Sequence, residues 1–447
     1  MKKLKKSLLK YIGINIIFII IGSTIFAKEE NSKYSMNLNE FVNEALKNNH
    51  DLKSKKNGVH LKEKDLDIAK GKRLGKLGIT MAHKNYENNV AIGDYLNGDY
   101  VKDNEKYSSA VTMEIPLYRG GTLVMNQRAA AQAVDSKKLD FSWEEDKLIY
   151  NIAKTYYKIL ENKKLLKINM EHLYELVEQK RIVDEFIHVG KAIKIEGIKE
   201  EVEIITTEQE IEFIKNDLKS GYLLLFHLTG MSSESEATVK DIDEEIFQDY
   251  TLENIIAKAY MNRKDYLSLE KEKSEKEYLI KASKGQRKPS VDFVANYTME
   301  EDGNLKEYNN WDVGIQFEYY FFQGGTISSK IKQSKINKDI IDEKIKELKS
   351  NINLEVRDSY FQMKTSLINI KRAKKSIGYA KENLRIEKIK YESEKNRIVD
   401  VIDAQNLLLE MKTDYYKAIY NYKMSEIKMK KASGNIEDIL KGDKIWK

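Results

Sequence analysis

Two hydrophobic periods alternate along the chain. In residues 290–299, SVDFVANYTM, one face carries Val291, Phe293, Ala295, Tyr297 and Met299; Ser290, Asp292, Asn296 and Thr298 take the other, and Val294 is out of phase. In residues 311–322, WDVGIQFEYYFF, Trp311, Val313, Ile315, Phe317, Tyr319 and Phe321 oppose Asp312, Gln316 and Glu318. A period of two predicts β-strands. A weaker pair precedes them. LGITMAHKNY (77–86) begins with Leu77, Ile79 and Met81, and YSSAVTMEIPLY (107–118) aligns Val111, Met113, Ile115 and Leu117. Strands of about 10–12 residues approach the length that a tilted strand needs to cross a bilayer. Polar loops at 87–106 and 300–310 are expected to join each pair. The aromatic density of the last strand, with no charge on its apolar face, favours a membrane strand over a soluble hairpin.

After each strand pair comes a glycine pair, Gly120-Gly121 and Gly324-Gly325, and the period becomes helical. Thr122 to Val189 contains neither Gly nor Pro. In the later stretch Ile341, Ile345, Leu348, Ile352, Val356, Ser359, Met363, Leu367 and Ile370 recur every three or four positions. A helix of this length extends roughly 100 Å and must pack along other long helices. The glycine pair marks the bend between a strand and a very long helix, where no Cβ obstructs the backbone.

The transition recurs because the chain is duplicated. A gap-free shift of 204 residues superposes Glu114 on Glu318, Gly120-Gly121-Thr122 on Gly324-Gly325-Thr326, Tyr156 on Tyr360 and Gly230 on Gly434. The expected organisation is a signal peptide at 1–27 and two repeats, 28–235 and 236–447. The first holds short helices, a strand hairpin at about 77–118, a long helix at about 121–189 and a return helix at about 194–230. The second holds an equatorial segment at about 231–250, a hairpin at about 290–322, a long helix at about 325–393 and a return helix at about 398–434. Two hairpins give four strands, and an open four-stranded sheet cannot sit in lipid with unpaired edges, so several copies must close a barrel.

Composition adjusts this picture at the N-terminus. MKKLKKSLLK followed by YIGINIIFIIIGSTIFA reads as an export signal cleaved after Ala27, with an uncleaved anchor as the other reading. These residues hold five lysines and no acid, so the net charge of +6 falls to +1 without them. The basic balance therefore gives no argument for nucleic acid. With only 2 prolines in 447 residues, and 33% of residues charged, long helices are expected. The absence of cysteine excludes disulfides, thiolate metal sites and a lipid on an N-terminal cysteine.

Several stretches resemble the TolC-like outer membrane efflux protein family. LNEFVNEALKNNHDLKSKK (38–56) resembles its opening helix, and PLYRGG (116–121) its strand exit, where Tyr320 replaces the proline in the second copy. FIHVGKAIKIEG (186–197) and YESEKNRIVDVIDAQNLLLE (391–410) resemble its two helical tips. The resemblance implies a mainly α fold with a small β part. Each chain is a duplicated strand-hairpin plus long-helix unit. A homotrimer of such chains forms an outer-membrane β-barrel continued by a periplasmic α-helical barrel. It also implies outer membrane lipid, a periplasmic adaptor (membrane fusion protein) and an inner-membrane transporter as partners. The implied function is an exit duct for efflux or type I secretion. A periplasmic helical scaffold or tether without channel activity is the other reading.

No catalytic constellation and no cofactor site stand out. GKRLGKL (71–77) is one residue short of a phosphate loop and lacks its Ser/Thr, and the six histidines have no metal-ligand spacing. Asp400 and Asp403 lie three apart on one helical face, and in a closed trimer they would set six carboxylates around the axis as a ring suited to cation block. Acids stabilising a helix N-terminus are the plainer reading. The resemblance assigns Tyr391 and Glu196 to a periplasmic gate, puts Asn396 where the family has arginine, and leaves Arg397 one position later. Adaptor-contacting tips are expected at Val189, Gly190 and Lys191 and at Ser393, Glu394 and Lys395. The strand-to-helix turns are Gly120, Gly121, Gly324 and Gly325.

Overall fold

The computed structural model describes residues 35–94, 99–241, 251–302 and 307–440. The expected signal peptide, the end of the equatorial segment (242–250) and residues 441–447 lie outside these. A short strand β1 (Ser35–Met36) precedes helices α1 (Leu38–Asn48) and α2 (His50–Gly71), strands β2 (Lys76–Asp94) and β3 (Asp99–Arg119), and helices α3 (Thr122–His188) and α4 (Lys194–Thr229). Strand β4 (Thr238–Val239) then pairs in parallel with β1. The series recurs as α5 (Leu252–Asn262), α6 (Lys264–Gly285), β5 (Ser290–Asp302), β6 (Glu307–Glu318), α7 (Thr326–Glu392) and α8 (Ile398–Ala432), ending in a 3-10 turn at Ile436–Ile439.

Helices α3 and α7 are each 67 residues long, uninterrupted by glycine until Gly378 in α7. Their own propensity cannot hold them at that length, so packing does. Helix α3 lies along α2, α4, α6 and α8, and α7 lies along α5, α6 and α8. At the equator Phe41, Val42 and Ala45 of α1 pack on Ile152, Ala153 and Tyr156 of α3 and on Leu225 and Phe226 of α4. The Tyr156 hydroxyl donates to the Lys240 carbonyl at 2.6 Å, so the segment beyond α4 is pinned across α3.

The opening stretch 38–56 is two helices rather than one. Asn49 leaves helical geometry (ψ 123°). Its side chain accepts from the Leu52 amide at 2.8 Å, capping α2, and donates to the Leu228 carbonyl at 2.8 Å. The same break recurs at Arg263 (ψ 117°) between α5 and α6.

The four strands form one antiparallel sheet in the order β2-β3-β5-β6. The register carries the apolar residues across it in rows: Leu77, Met113, Ala295 and Val313; Ile79, Val111, Tyr297 and Trp311; Ile115, Phe293 and Ile315. Directly opposed residues share a face, so the parity read from each strand alone is that of the sheet. Three expectations change. The register shifts between Pro116 and Tyr118, so Tyr118 rather than Leu117 stands opposite Val291. Most of the expected loops 87–106 and 300–310 is strand, because main-chain ladders continue through polar residues; β2 and β3 reach 19 and 21 residues. Strand β6 stops at Glu318, and Tyr319 to Phe322 follow as irregular, exposed chain.

All four turn glycines have left-handed backbones, with φ of 63° and 85° at Gly120 and Gly121 and 56° and 77° at Gly324 and Gly325. Gly120 is the most constrained: a Cβ there would lie 2.1 Å from the Gly285 carbonyl oxygen, whereas one on Gly121 would meet nothing. Gly121→Ala should therefore cost about 1–2 kcal/mol for backbone handedness alone. Gly120→Ala should cost clearly more, since α6 must also move. Thermal melts of the two variants check this, and equal losses would mean that the close approach is not limiting.

Candidate functional site: the helical tips

The end of the bundle far from the sheet is made of two helix reversals built alike. At the first, α3 ends in a Schellman turn: the Lys191 amide donates to the Phe186 carbonyl at 2.8 Å, and the Gly190 amide to the Ile187 carbonyl at 3.2 Å. At the second, Lys395 donates to Lys390 at 2.8 Å and Glu394 to Tyr391 at 2.9 Å. The turn needs a left-handed residue. Gly190 supplies it at φ 78°, but its counterpart is Glu394, at φ 58°. A non-glycine residue in that region is strained by about 1 kcal/mol or more. Its carboxylate pairs with Lys191 of the other tip at 2.8 Å. Val189 and Ser393 cap the two helices, and Val189 is exposed.

A second link lies just inside the first. The Tyr391 hydroxyl donates to a Glu196 carboxylate oxygen at 2.9 Å, and the Tyr391 ring stacks on Phe186 with centroids 5.7 Å apart. The ring is buried with Val183, Leu384, Ile398 and Val401. Burial, reinforced by the Glu196 carboxylate, pushes the Tyr391 phenol well above its ordinary range, so it stays a hydrogen-bond donor. Tyr391→Phe keeps the stacking and removes the donor. It should lower the stability of the tip by about 1–2 kcal/mol, read as faster amide exchange in 194–200. Unchanged exchange would mean that the hydroxyl ties nothing.

The remaining expected site residues are spread over the start of α8. Asp400 is half-buried, and its carboxylate accepts from the Arg397 amide at 3.1 Å, so within one chain it caps the helix. Asp403, one turn further on, is exposed, as is Arg397. Asn396, in the position that the resemblance gives to arginine, donates to Glu387 at 2.6 Å and closes its own hairpin. Among the described residues no group of three or more His, Cys, Asp or Glu could hold a metal within one chain.

Sequence reasoning missed Glu200 and Phe186. Glu200 is fully buried, and neither carboxylate oxygen has a hydrogen-bond partner among the described residues. The signal was present: Gly197, Ile204, Thr207, Ile211 and Ile214 are buried in the first part of α4, and Glu200 falls in their phase.

An amphipathic sheet carried on antiparallel helix pairs, with tied tips at the far end, is an architecture this chain shares with solved outer membrane proteins. Residues 255–435 match the outer membrane efflux protein family, and the first half repeats that pattern. The chain is 27% identical to the outer membrane protein TolC of Escherichia coli K12 over 141 residues, 32% of this chain but only 28% of that protein's length. In fold it is similar to the Vibrio cholerae outer membrane protein VceC (TM-score 0.78, 13% identity, 89% of this chain and 96% of that one). It is equally similar to the Campylobacter jejuni CmeC outer membrane channel (TM-score 0.77, 19% identity, 89% and 86%). The family match over 255–435 and the likeness in fold over 89% of the chain support a TolC-like outer membrane efflux protein family and a place in the outer membrane. Among the described residues no helix is long and apolar enough to cross a membrane.

Proposed function

We propose that the protein is the exit duct of a tripartite efflux or type I secretion system. Three copies would close one barrel in the outer membrane and one helical tunnel below it. A periplasmic adaptor would dock on the tips at Val189, Gly190 and Lys191 and at Ser393, Glu394 and Lys395, and an inner-membrane transporter would supply substrate and energy. The observation that carries this reading is the open sheet. Its apolar face is exposed, and among the described residues β2 and β6 are edges without ladder partners. Lipid tolerates neither an unpaired edge nor an unclosed sheet. The helices support the same reading. Helix α4 exposes Ile195, Ile198, Val202 and Ile205 at helical spacing, and α7 exposes Leu354, Phe361 and Ile368 at seven-residue intervals. Such stripes suit neighbouring copies in a helical barrel.

The gate in this reading is Asp400 and Asp403 on the axis, with Tyr391, Glu196 and Arg397 holding the helix pairs. Carboxylates about 6 Å apart repel by about 0.7 kcal/mol in water and about 3 kcal/mol at an effective dielectric of 20, so the ring should bind multivalent cations. The detergent-solubilised particle should have the mass of three chains. Reconstituted in planar bilayers, it should be cation-selective and blocked by trivalent metal from the periplasmic side. Replacing Asp400 and Asp403 by alanine should abolish the block and leave the trimer intact. A monomeric particle that salt removes from membranes would instead support a periplasmic tether. A block surviving in the double variant would move the constriction elsewhere.

A further inference from the structure

We infer that Glu200 is a proton-operated latch: protonated, it lets α4 close on the tip of α7, and ionised, it drives the two apart. Its place in the fold carries the inference. Glu200 sits one helical turn after Glu196, whose carboxylate takes the Tyr391 hydroxyl bond that ties α4 to α7. Its side chain is sealed from solvent, with both oxygens unbonded among the described residues. An ionised carboxylate in that position has neither water nor a donor to stabilise it, whereas a protonated one is close to a small neutral side chain.

The groups around it do not neutralise it. On its own helix Glu203 repels it, and Glu203 itself accepts a hydrogen bond from Asn406 of α8 at 2.9 Å. From α3 the cation acting on it is Lys180, which is already engaged by Asp184 at 2.8 Å and Glu201 at 3.5 Å. From α7 come Lys388 and the neutral phenol of Tyr391. The side chains that α8 buries in its first two turns, among them Val401, Ile402 and Gln405, carry no charge, and its acids Asp400 and Asp403 are half-buried and exposed. Burial, with Glu203 adding to it, pushes Glu200 from 4.5 up to about 7. The sign follows from linkage. A carboxyl whose pKa is raised in the closed tip binds a proton that the opened tip releases. The closed tip therefore weakens, relative to the opened one, as pH rises from about 4.5 through about 7.

The latch adds a proton sensor one turn from the Tyr391–Glu196 bond. That its movement admits substrate rests on the exit-duct reading; that it moves does not. The test therefore reads the tip itself. Amide-exchange protection of residues 194–204, with each rate divided by the intrinsic rate at that pH, is compared at pH 5.5 and 8.5 in the detergent-solubilised full chain. Residues 359–370 of α7, which contain no carboxylate or histidine, serve as reference. Wild type should lose about tenfold or more of its tip protection at the higher pH, with the reference unchanged. Glu200→Gln, which keeps the shape and cannot ionise, should remain protected at both, and so should Glu200→Leu. Glu200→Asp should keep a pH step. A wild-type tip whose protection does not change, or a step that survives in both Glu200→Gln and Glu200→Leu, would overturn the latch. Conductance then separates the two readings. A pH step in exchange with no step in conductance keeps the latch and counts against its tip being the channel's entrance.

Discussion

Arg263→Ala is expected to destabilise the equator by about 3–5 kcal/mol, one of the two largest single-site effects proposed for this chain. The Arg263 side chain is 2% exposed. Its Nε and Nη2 grip Asp265 at 3.0 and 2.7 Å, its Nη1 donates to Glu355 of α7 at 2.6 Å, and its guanidinium lies 4.9 Å from the Trp143 ring of α3. One side chain thus joins the α5–α6 break to both long helices. Truncation leaves Asp265 largely buried without its cation and removes the packing on Trp143, which adds to the electrostatic loss. Arg263→Lys should recover only part, because an ammonium cannot make the two-pronged bond to Asp265 while reaching Glu355. Urea unfolding followed by the emission of Trp143 measures both variants. A loss below about 1 kcal/mol for the alanine variant would show that the network contributes little net stability.

Val313→Arg should be the other large effect, costing about 2–4 kcal/mol of stability in lipid vesicles. Val313 ends the row that crosses all four strands through Leu77, Met113 and Ala295, well inside the ladder of β6. Phe317 has the same parity but stands one residue from the end of β6, so an arginine there can reach the interface and should cost less. Gln316→Arg, on the opposite face, should be close to neutral. If Val313→Arg and Gln316→Arg folded into vesicles equally well, the apolar face would not be the lipid face.

The pH dependence proposed for the tip has an echo at the equator. Asp146 is 1% exposed, and burial pushes it from 3.8 up to about 6 even though Lys264 donates to it at 2.9 Å. Its folded value is raised, so stability falls as pH rises from about 3.8 through about 6 and is unaffected by this group above that. Losses of global stability in the Glu200 variants as pH rises to about 6 should be read against this second group.

The sequence by itself determined the elements and their order. A run free of glycine and proline defines α3, an apolar period of three to four defines α7, glycine pairs mark their starts, and period two sets the parity of each strand; all are local properties of the backbone or of a repeating pattern. Four things were decided by tertiary structure. Strands β2 and β3 run on through polar residues because ladder bonds are made by main chain, whatever the side chains. Asn49 breaks the opening helix because its amide finds the Leu228 carbonyl, 179 residues away. Glu394 accepts a left-handed backbone in a turn where its counterpart is glycine, with its carboxylate held by Lys191 of the other tip. Arg263 and Glu200 are buried, although charge on a helix ordinarily means a solvated face. Whether a charged side chain meets water or a neighbouring helix is fixed by the crossing of helices far apart in sequence, and no local pattern records that crossing.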